Sequence, residues 1–276
     1  MVIGVLKEPD FETRVSLLPA AVAAFVKKGI TVYIENGAGE KTFHNDDEYT
    51  KEGALLFSAS EIAAKADVIL AIHPPVTTDA FARKILIGVY QPLVNKELLN
   101  KWAAENITAF SLDMLPRTSR AQSMDVLSSQ ANIAGYKAVL LAANVFSRYF
   151  PMFMTAAGSI PPAKVLILGA GVAGLQAIAT ARRLGAVVEV FDTRPAVKEE
   201  VMSLGAKFVE VTGAADASKA GGYAVVQTEE FLQKQKDKIA ESIAKADIVI
   251  TTAQIPGKAA PVLVTAQMIT KMKKGS

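Results

Sequence analysis

Six residues at positions 169–174 form a glycine-spaced turn that could bind phosphate groups. They follow an apolar run at 165–168 and read Gly169-Ala170-Gly171-Val172-Ala173-Gly174. Gly169 would permit a tight turn, Gly171 would let the backbone approach a pyrophosphate group, and Gly174 would let the next helix pack closely on the strand. The N–H groups and positive dipole at the N-terminus of that helix would then face the phosphates.

An acidic residue ends the next strand-like run, at 187–191. A carboxylate at Asp192 can accept hydrogen bonds from ribose hydroxyl groups and repels a 2′-phosphate, which favours NAD(H) over NADP(H). Arg194 could contact such a phosphate, or it could be a solvated surface charge. Because strand, turn, helix, strand and acid occur in this order, we predict an NAD(H) site rather than a purely structural turn. The predicted cofactor contacts here are Gly169, Gly171, Val172, Ala173, Gly174, Asp192, Thr193 and Arg194.

The elements around this site alternate between strand-like and helix-like patterns, which predicts parallel sheets covered by helices. Strands are predicted at 2–6, 31–35, 67–72, 85–90 and 107–111, with helices at 19–28, 61–65 and 96–105. A long helix is predicted at 119–149, and further strands at 164–168, 187–192, 207–211 and 247–252.

The predicted fold is therefore α/β, with two Rossmann-like lobes that have parallel sheets and are linked by a long helix. We place the N-terminal lobe and the start of the connecting helix at 1–135, and the NAD-binding lobe at 136–276. A helix-like segment at 268–272 and a turn at 273–276 are followed by no strand, so we expect the C-terminal strands of this lobe to be truncated.

Composition excludes several classes of function. The 276 residues are 51% hydrophobic and 21% charged, which favours a substantial core. No apolar run reaches 18 residues, and no signal-like segment follows Met1, so neither a membrane span nor an export signal is expected. The net charge of +3 without a basic run argues against nucleic acid as a partner. Without cysteine there is no thiolate chemistry, and no spacing indicates a metal site.

One segment carries a more specific pattern. It reads from Pro116 to Gln130, with Arg117, Gln122 and Asp125, and is followed by Asn132-Ile133-Ala134-Gly135-Tyr136. It resembles the Arg-Gln-Asp loop and following helix of domain I of proton-translocating nicotinamide nucleotide transhydrogenases. The resemblance covers nearly the whole chain, including the segments at 12–15, 154–158, 161–164, 169–174, 191–194, 220–223 and 251–257.

The resemblance implies roles for further residues. Arg117, Gln122, Asp125 and Ser128 would contact the nicotinamide end of the cofactor, where fixed donors and acceptors hold one ring face outward. Without its flanks, this loop would be interpreted as an Arg–Asp surface pair that caps a helix. Gly222 and Tyr223 match a loop that closes over bound nucleotide, although an ordinary surface loop has the same composition. Thr252 and Ala253 complete the predicted cofactor contacts.

The resemblance also implies an activity and partners. The chain would bind NAD(H) and exchange hydride with NADP(H) held by a partner domain, in the proton-translocating, Re/Si-specific type of transhydrogenase. A membrane domain would couple this transfer to proton translocation. A homodimer is expected, peripheral to the cytoplasmic side of an inner membrane or to the matrix side in mitochondria.

Alanine dehydrogenase, from the same superfamily, is the main alternative. Oxidative deamination needs groups that bind a carboxylate and move protons, and in that family an arginine, a lysine and a histidine serve these ends. Arg14 matches the arginine, but 70–74 contains no lysine and 89–92 no histidine. Hydride transfer between two nicotinamides needs neither acid nor base, only aligned rings and excluded water. A non-catalytic NAD-binding module is the third hypothesis. We interpret His44 as a surface residue in a polar turn, and His73 as a strand-end residue.

Overall fold

The computed structural model describes residues 1–76, 79–116, 118–211 and 228–276. Its contacts divide the chain into two compact units, Met1–Asp125 and Val126–Ser276. The long helix Val126–Val145 therefore belongs wholly to the second unit, whereas we placed a boundary inside it from the sequence.

The first unit is built on a parallel sheet with helices in its crossover connections. The strands lie in the order β3-β2-β1-β4-β5-β6, and every neighbouring pair is parallel. This is the strand order of a doubly wound dinucleotide-binding fold. The elements in chain order are β1 (Val2–Val5), α1 (Pro19–Val26), β2 (Thr31–Glu35), α2 (Asp46–Lys51), β3 (Leu55–Phe57), α3 (Ala59–Lys65), β4 (Val68–Leu70), β5 (Ile85–Gly88), α4 (Lys96–Ala104) and β6 (Thr108–Ser111).

The second unit repeats this arrangement around a parallel sheet of order β11-β10-β9-β12. Its elements are α5 (Val126–Val145), β7 (Phe153–Thr155), β8 (Gly158–Ile160), β9 (Lys164–Leu168), α6 (Val172–Arg183), β10 (Val187–Phe191), α7 (Lys198–Ser203), β11 (Lys207–Phe208), α8 (Glu229–Lys245), β12 (Ile248–Thr251) and α9 (Ala266–Ile269). The predicted α/β class with two Rossmann-like lobes is confirmed.

The central strand β9 is buried on both faces of its sheet. Val165 and Ile167 pack on the face covered by α6, whereas Leu166 and Leu168 pack on the face covered by α8. Successive side chains of a strand point to opposite faces, so this continuous apolar run supplies two cores at once. Its carboxyl end, where the glycine turn begins, is thereby held in place from both sides.

The buried carboxylate of Asp247 connects three parts of the second unit just before β12. Its Oδ1 accepts hydrogen bonds from Arg148 Nη2 at 2.6 Å and from Lys273 Nζ at 2.8 Å, while Oδ2 accepts one from the N–H of Lys164 at 2.8 Å. Burial raises the pKa of this carboxyl group, but the three donors outweigh burial and hold the pKa below its usual value. The group is therefore ionised at neutral pH and fixes the start of β9.

The prediction of one helix at 119–149 is wrong at both ends. Residues Ser119–Met124 form a 3-10 helix, and Asp125 leaves the helical region with φ −76° and ψ 83°. Helix α5 begins only at Val126 and ends at Val145. Gln122 and Asp125 therefore lie before the helix, and only Ser128 lies on it. We also did not predict the antiparallel hairpin of β7 and β8, whose strands are three residues long.

The segment around His44 is a helix start rather than a simple polar turn. Asn45 caps α2 by accepting from the N–H of Glu48, and the Glu48 carboxylate accepts from the N–H of Asn45. His44 Nδ1 lies 2.8 Å from Glu48 Oε2, so this histidine belongs to the cap.

A helix that crosses a bilayer must be both long and apolar. Within the described part of the chain, no helix is long and apolar enough to do so.

Candidate dinucleotide site

The turn after β9 is closed by two hydrogen bonds and has a backbone conformation that favours glycine. Gly169 has φ +107°, its N–H donates to Phe191 O at 2.8 Å, and its carbonyl accepts from Thr252 Oγ1 at 2.9 Å. A Cβ on Gly169 would lie 2.8 Å from that hydroxyl oxygen, which is too close. The turn is therefore held from both neighbouring strands, β10 and β12.

Gly174 and Gly171 have different surroundings. A Cβ on Gly174 would lie 1.9 Å from the carbonyl oxygen of Gly169, so helix α6 packs directly on the turn. A Cβ on Gly171 would meet no atom within 4 Å among the described residues, so this side of the turn is open. These positions match the backbone roles expected of the three glycines, and ligand contact stays a prediction.

Helix α6 starts at the open side of the turn. Gly171 is its N-cap residue and has no side chain that could accept from the first N–H groups of the helix. Those of Val172 and Ala173 belong to this first turn, where an anion is stabilised by the helix dipole. The local geometry therefore suits a phosphate group.

Asp192 lies at the carboxyl end of β10, and Arg194 occupies both oxygens of its carboxylate. Oδ1 accepts from the backbone N–H and from Nε of Arg194, at 2.8 and 2.9 Å, and Oδ2 accepts from Nη2 at 2.8 Å. Oδ2 also accepts from the N–H of Ala170 at 2.7 Å, which ties the acid to the glycine turn. The side chain of Asp192 is only 6% exposed.

This pairing corrects one interpretation of Arg194 and adds a requirement for binding. Arg194 is not a solvated surface charge, because its side chain is 18% exposed and paired with Asp192. Burial raises the pKa of Asp192, but hydrogen bonds from Arg194 and Ala170 outweigh burial and hold the pKa below its usual value. Each oxygen of Asp192 already accepts two hydrogen bonds, so a ribose hydroxyl that binds there competes with those donors.

The remaining predicted cofactor residues of the second unit lie beside the turn. Thr193 follows Asp192 and is partly buried. Thr252 follows β12, and its hydroxyl donates to the carbonyl of Gly169. Ala253 comes next, and its backbone nitrogen is 3.2 Å from the position that a Cβ on Gly169 would take. We did not predict the hydrogen bond of Thr252 from the sequence, although its position after β12 indicated it, because the carboxyl ends of β9, β10 and β12 meet at one edge of the parallel sheet.

The residues predicted to contact nicotinamide are divided between the two units. Gln122 is exposed, Asp125 is partly buried, and the N–H of Asp125 donates to Gln122 O at 3.2 Å. Ser128 lies on the first turn of α5 and is partly buried. Arg117, Gly222 and Tyr223 lie outside the described residues. Cofactor contact by all six stays a prediction.

The groups at the alanine dehydrogenase positions are engaged in other contacts. Arg14 donates to Glu12 through Nε at 2.9 Å and Nη2 at 2.7 Å, and His73 Nε2 lies 2.9 Å from Glu12 Oε2. Tyr90, in the segment where a histidine would stand, is buried with its ring 4.9 Å from that of Trp102. Arg14 is therefore the ion-pair partner of Glu12, and His73 contacts the same carboxylate.

The described residues were also compared with the arrangement that a metal site requires. Across the described ranges of the chain, no group of three or more histidine, aspartate or glutamate side chains is arranged to hold a metal ion.

The strand orders, the glycine turn and the acidic strand end together define an α/β protein of the nucleotide-dependent dehydrogenase type. Models of known families identify both units. Residues 4–134 match the N-terminal domain of alanine dehydrogenase/PNT, and residues 138–276 match the C-terminal domain. The chain belongs to the alanine dehydrogenase/PNT family.

The chain shares more identity with the transhydrogenases compared than with the alanine dehydrogenases. The chain is 48% identical over 276 residues to an NAD(P) transhydrogenase alpha-subunit protein of Rhodospirillum rubrum, covering 96% of this chain and 72% of the relative. The crystal structure of transhydrogenase from Sinorhizobium meliloti matches with a TM-score of 0.86 and 44% identity, covering 100% of this chain and 76% of that one. An L-alanine dehydrogenase structure matches less well, with a TM-score of 0.80 and 26% identity over 100% of this chain and 72% of that one.

Cofactor preference is the first property that this geometry predicts. We expect NADH to bind more tightly than NADPH, because the ionised Asp192 repels a 2′-phosphate. Asp192→Ala should narrow the difference between the two dissociation constants in a fluorescence titration. Because the pKa of Asp192 lies below its ordinary value of about 3.9, the carboxylate remains charged and the preference should persist from pH 8 down to about pH 5.

Asp192→Asn is a second variant, which removes the charge and keeps the shape of the side chain. It should also narrow the preference for NADH over NADPH if the charge is responsible. Equal or reversed affinities in the unmodified protein would contradict the assignment of Asp192.

Proposed function

We propose that this chain is the NAD(H)-binding component of a proton-translocating transhydrogenase. It holds NADH while hydride passes to NADP⁺ on a partner domain, and a membrane domain couples the transfer to proton movement. The central observation is the glycine turn tied to Asp192 at the neighbouring strand end. The names of the most similar relatives support the choice of reaction.

The alignment of the nicotinamide ring is assigned to the segment before and at the start of α5. In this proposal Arg117, Gln122, Asp125 and Ser128 fix the carboxamide and one ring face, while Gly222 and Tyr223 close over the nucleotide. None of these residues transfers a proton, because hydride transfer between two nicotinamides requires none. Their role is to orient the ring and to help exclude water.

The proposal also assigns the chain a place in the cell. As the NAD(H)-binding component, it would lie peripherally at the cytoplasmic face of an inner membrane or at the mitochondrial matrix face. The similarity to transhydrogenase alpha subunits supports this placement, because the proposed coupling to proton movement requires a membrane domain as partner.

Three parallel reactions distinguish the proposed function from its rivals. In each reaction the chain is first supplied with NADH. The first mixture then receives NADP⁺ bound to an NADP(H)-binding domain of a transhydrogenase, the second receives ammonia and pyruvate, and the third receives neither. We expect turnover only in the first mixture. Turnover with ammonia and pyruvate would indicate an amino-acid dehydrogenase, and binding of NADH without turnover in any mixture would indicate a non-catalytic module.

We further propose that the chain forms a homodimer through an exposed apolar stretch of the second unit. This stretch consists of Leu141, Val145, Tyr149, Met152, Phe153 and Met154. Met154, on the β7–β8 hairpin, is 78% exposed, and the ring of Tyr149 stacks on Phe153 at 5.0 Å. Groups of exposed apolar side chains mark interaction surfaces.

Met154→Asp tests this surface. The charge should weaken self-association by about tenfold or more in dissociation constant, or about 1.4 kcal/mol, when mass is measured by sedimentation across a concentration series. Val262→Asp is the matched control, because Val262 is equally exposed at 78% but lies outside the stretch. A dimer that survives Met154→Asp unchanged, or a monomeric unmodified chain, would contradict the proposal.

A further inference from the structure

One face of helix α5 lies against helix α6. The residues at spacings of four, three and four along this face are Ser128, Asn132, Gly135 and Val139. Such spacings place side chains on the same side of a helix. Asn132 Nδ2 donates to Gln176 Oε1 of α6 at 3.2 Å, and Gly135 and Val139 are buried. Ser128, predicted to contact nicotinamide, is the first residue of this face.

Gly135 brings the two helices closer than any other residue would allow. A Cβ at this position would lie 2.0 Å from the carbonyl oxygen of Ala173, and real Cβ atoms do not approach closer than 3.0 Å. Even alanine would therefore force the helices apart by about 1 Å. Ala173 lies in the glycine turn, so this contact joins α5 to the predicted pyrophosphate site.

The displacement should fall on α5 rather than on α6. Helix α6 is anchored by its buried residues Gly174, Ala177, Ile178, Thr180 and Ala181, whereas the buried residues of α5 are Gly135 and Val139. Gly174 also packs on Gly169 O, which fixes the first turn of α6 to the glycine turn. The more weakly anchored helix moves, and the pyrophosphate site stays in place.

We propose that Gly135 is a positioning residue for hydride transfer, because it sets the distance between the Ser128 face of α5 and the glycine turn. The inference rests on the proposed function. Ser128 lies two turns before Gly135, about 10 Å along the helix axis, and Asp125 directly precedes α5. Displacement of a reacting group by about 1 Å can lower a rate by about 100-fold.

The test compares two substitutions on the same turn of α5. Gly135→Ala should lower the single-turnover rate of hydride transfer at saturating nucleotide by about tenfold to 100-fold, with the dissociation constant for NADH changed by less than threefold. Ala134→Gly is the control. Ala134 is exposed, so this change costs about 1 kcal/mol of helix propensity without altering the contact with α6, and the rate should remain that of the unmodified chain.

A second variant covers the case in which Gly135→Ala fails to fold. Asn132→Ala removes the hydrogen bond to Gln176 without adding an atom. It should also lower the rate of hydride transfer, by a smaller factor of about threefold. Full rates in the folded variants would overturn the inference. Equal losses of affinity and rate would also contradict it, because the effect would then act on the glycine turn.

The fluorescence emission of bound NADH separates this inference from the proposed function. Emission reports the surroundings of the reduced nicotinamide ring and requires no hydride acceptor. If the unmodified chain transfers no hydride, the proposed function fails. A changed emission in Gly135→Ala at unchanged affinity would still support the positioning role, and an unchanged emission would overturn it.

Discussion

Gly171→Ala is expected to weaken NADH binding by about tenfold to 100-fold while the free energy of unfolding falls by about 1 kcal/mol or less, the cost of alanine at a helix N-cap. The reason is that a Cβ at Gly171 meets no described protein atom within 4 Å, so it would conflict only with a ligand. Isothermal titration with NADH and denaturant unfolding measure the two quantities on the same preparation.

Gly174→Ala is the matched comparison and should behave differently. Its Cβ would lie 1.9 Å from the carbonyl oxygen of Gly169, a backbone atom that cannot rotate away. We expect this variant to lose both affinity and stability, the latter by about 3 kcal/mol. If Gly171→Ala retained full affinity, the open side of the turn would not be where the cofactor binds.

Gln122→Asn and Asp125→Asn are expected to slow hydride transfer by about tenfold or more each, which corresponds to about 1.4 kcal/mol of transition-state stabilisation. Both residues are proposed to hold the nicotinamide ring, and a small error in ring position is costly because the two C4 atoms must meet closely. NADH affinity should change little, because the glycine turn and Asp192 retain the adenosine and pyrophosphate end. Arg117→Ala should be more damaging, since it removes charge as well as geometry.

The decisive measurement for these variants is the single-turnover rate set beside the NADH dissociation constant. Unchanged rates in both the Gln122 and Asp125 variants would show that the loop is structural. Parallel losses of rate and affinity would show that it binds the cofactor without a separate role in alignment. Ser129→Ala, a neighbouring exposed position on α5, is a suitable control and should keep the full rate.

The α/β class and the position of the glycine turn could be predicted because local sequence determines them. Buried parallel strands such as β9 appear as continuous apolar runs, and the spacing of Gly169, Gly171 and Gly174 follows from the turn that each must allow. Strand boundaries were predicted less well. The strand expected at 207–211 is only Lys207–Phe208, because pairing with the neighbouring strand, not apolar character, ends a strand.

Side-chain partnerships could not be predicted, because they depend on three-dimensional proximity. The bidentate pairing of Asp192 with Arg194 is a choice of side-chain conformation that sequence spacing leaves open. Asp247 binds Arg148 and Lys273 from distant parts of the chain. Gly135 was visible as a glycine within a helix, but its reason, the carbonyl of Ala173, belongs to another element.

Direct transfer of hydride between two nucleotides is the central claim, and an isotope test measures it. NADH carrying deuterium at both C4 positions is bound to this chain and mixed with NADP⁺ on an NADP(H)-binding domain, in ordinary water. Mass spectrometry then determines the isotope at C4 of the NADPH that forms. We expect NADPH with one deuterium per molecule, because no proton from solvent enters the transfer. NADPH with hydrogen from water, or no NADPH at all, would contradict it.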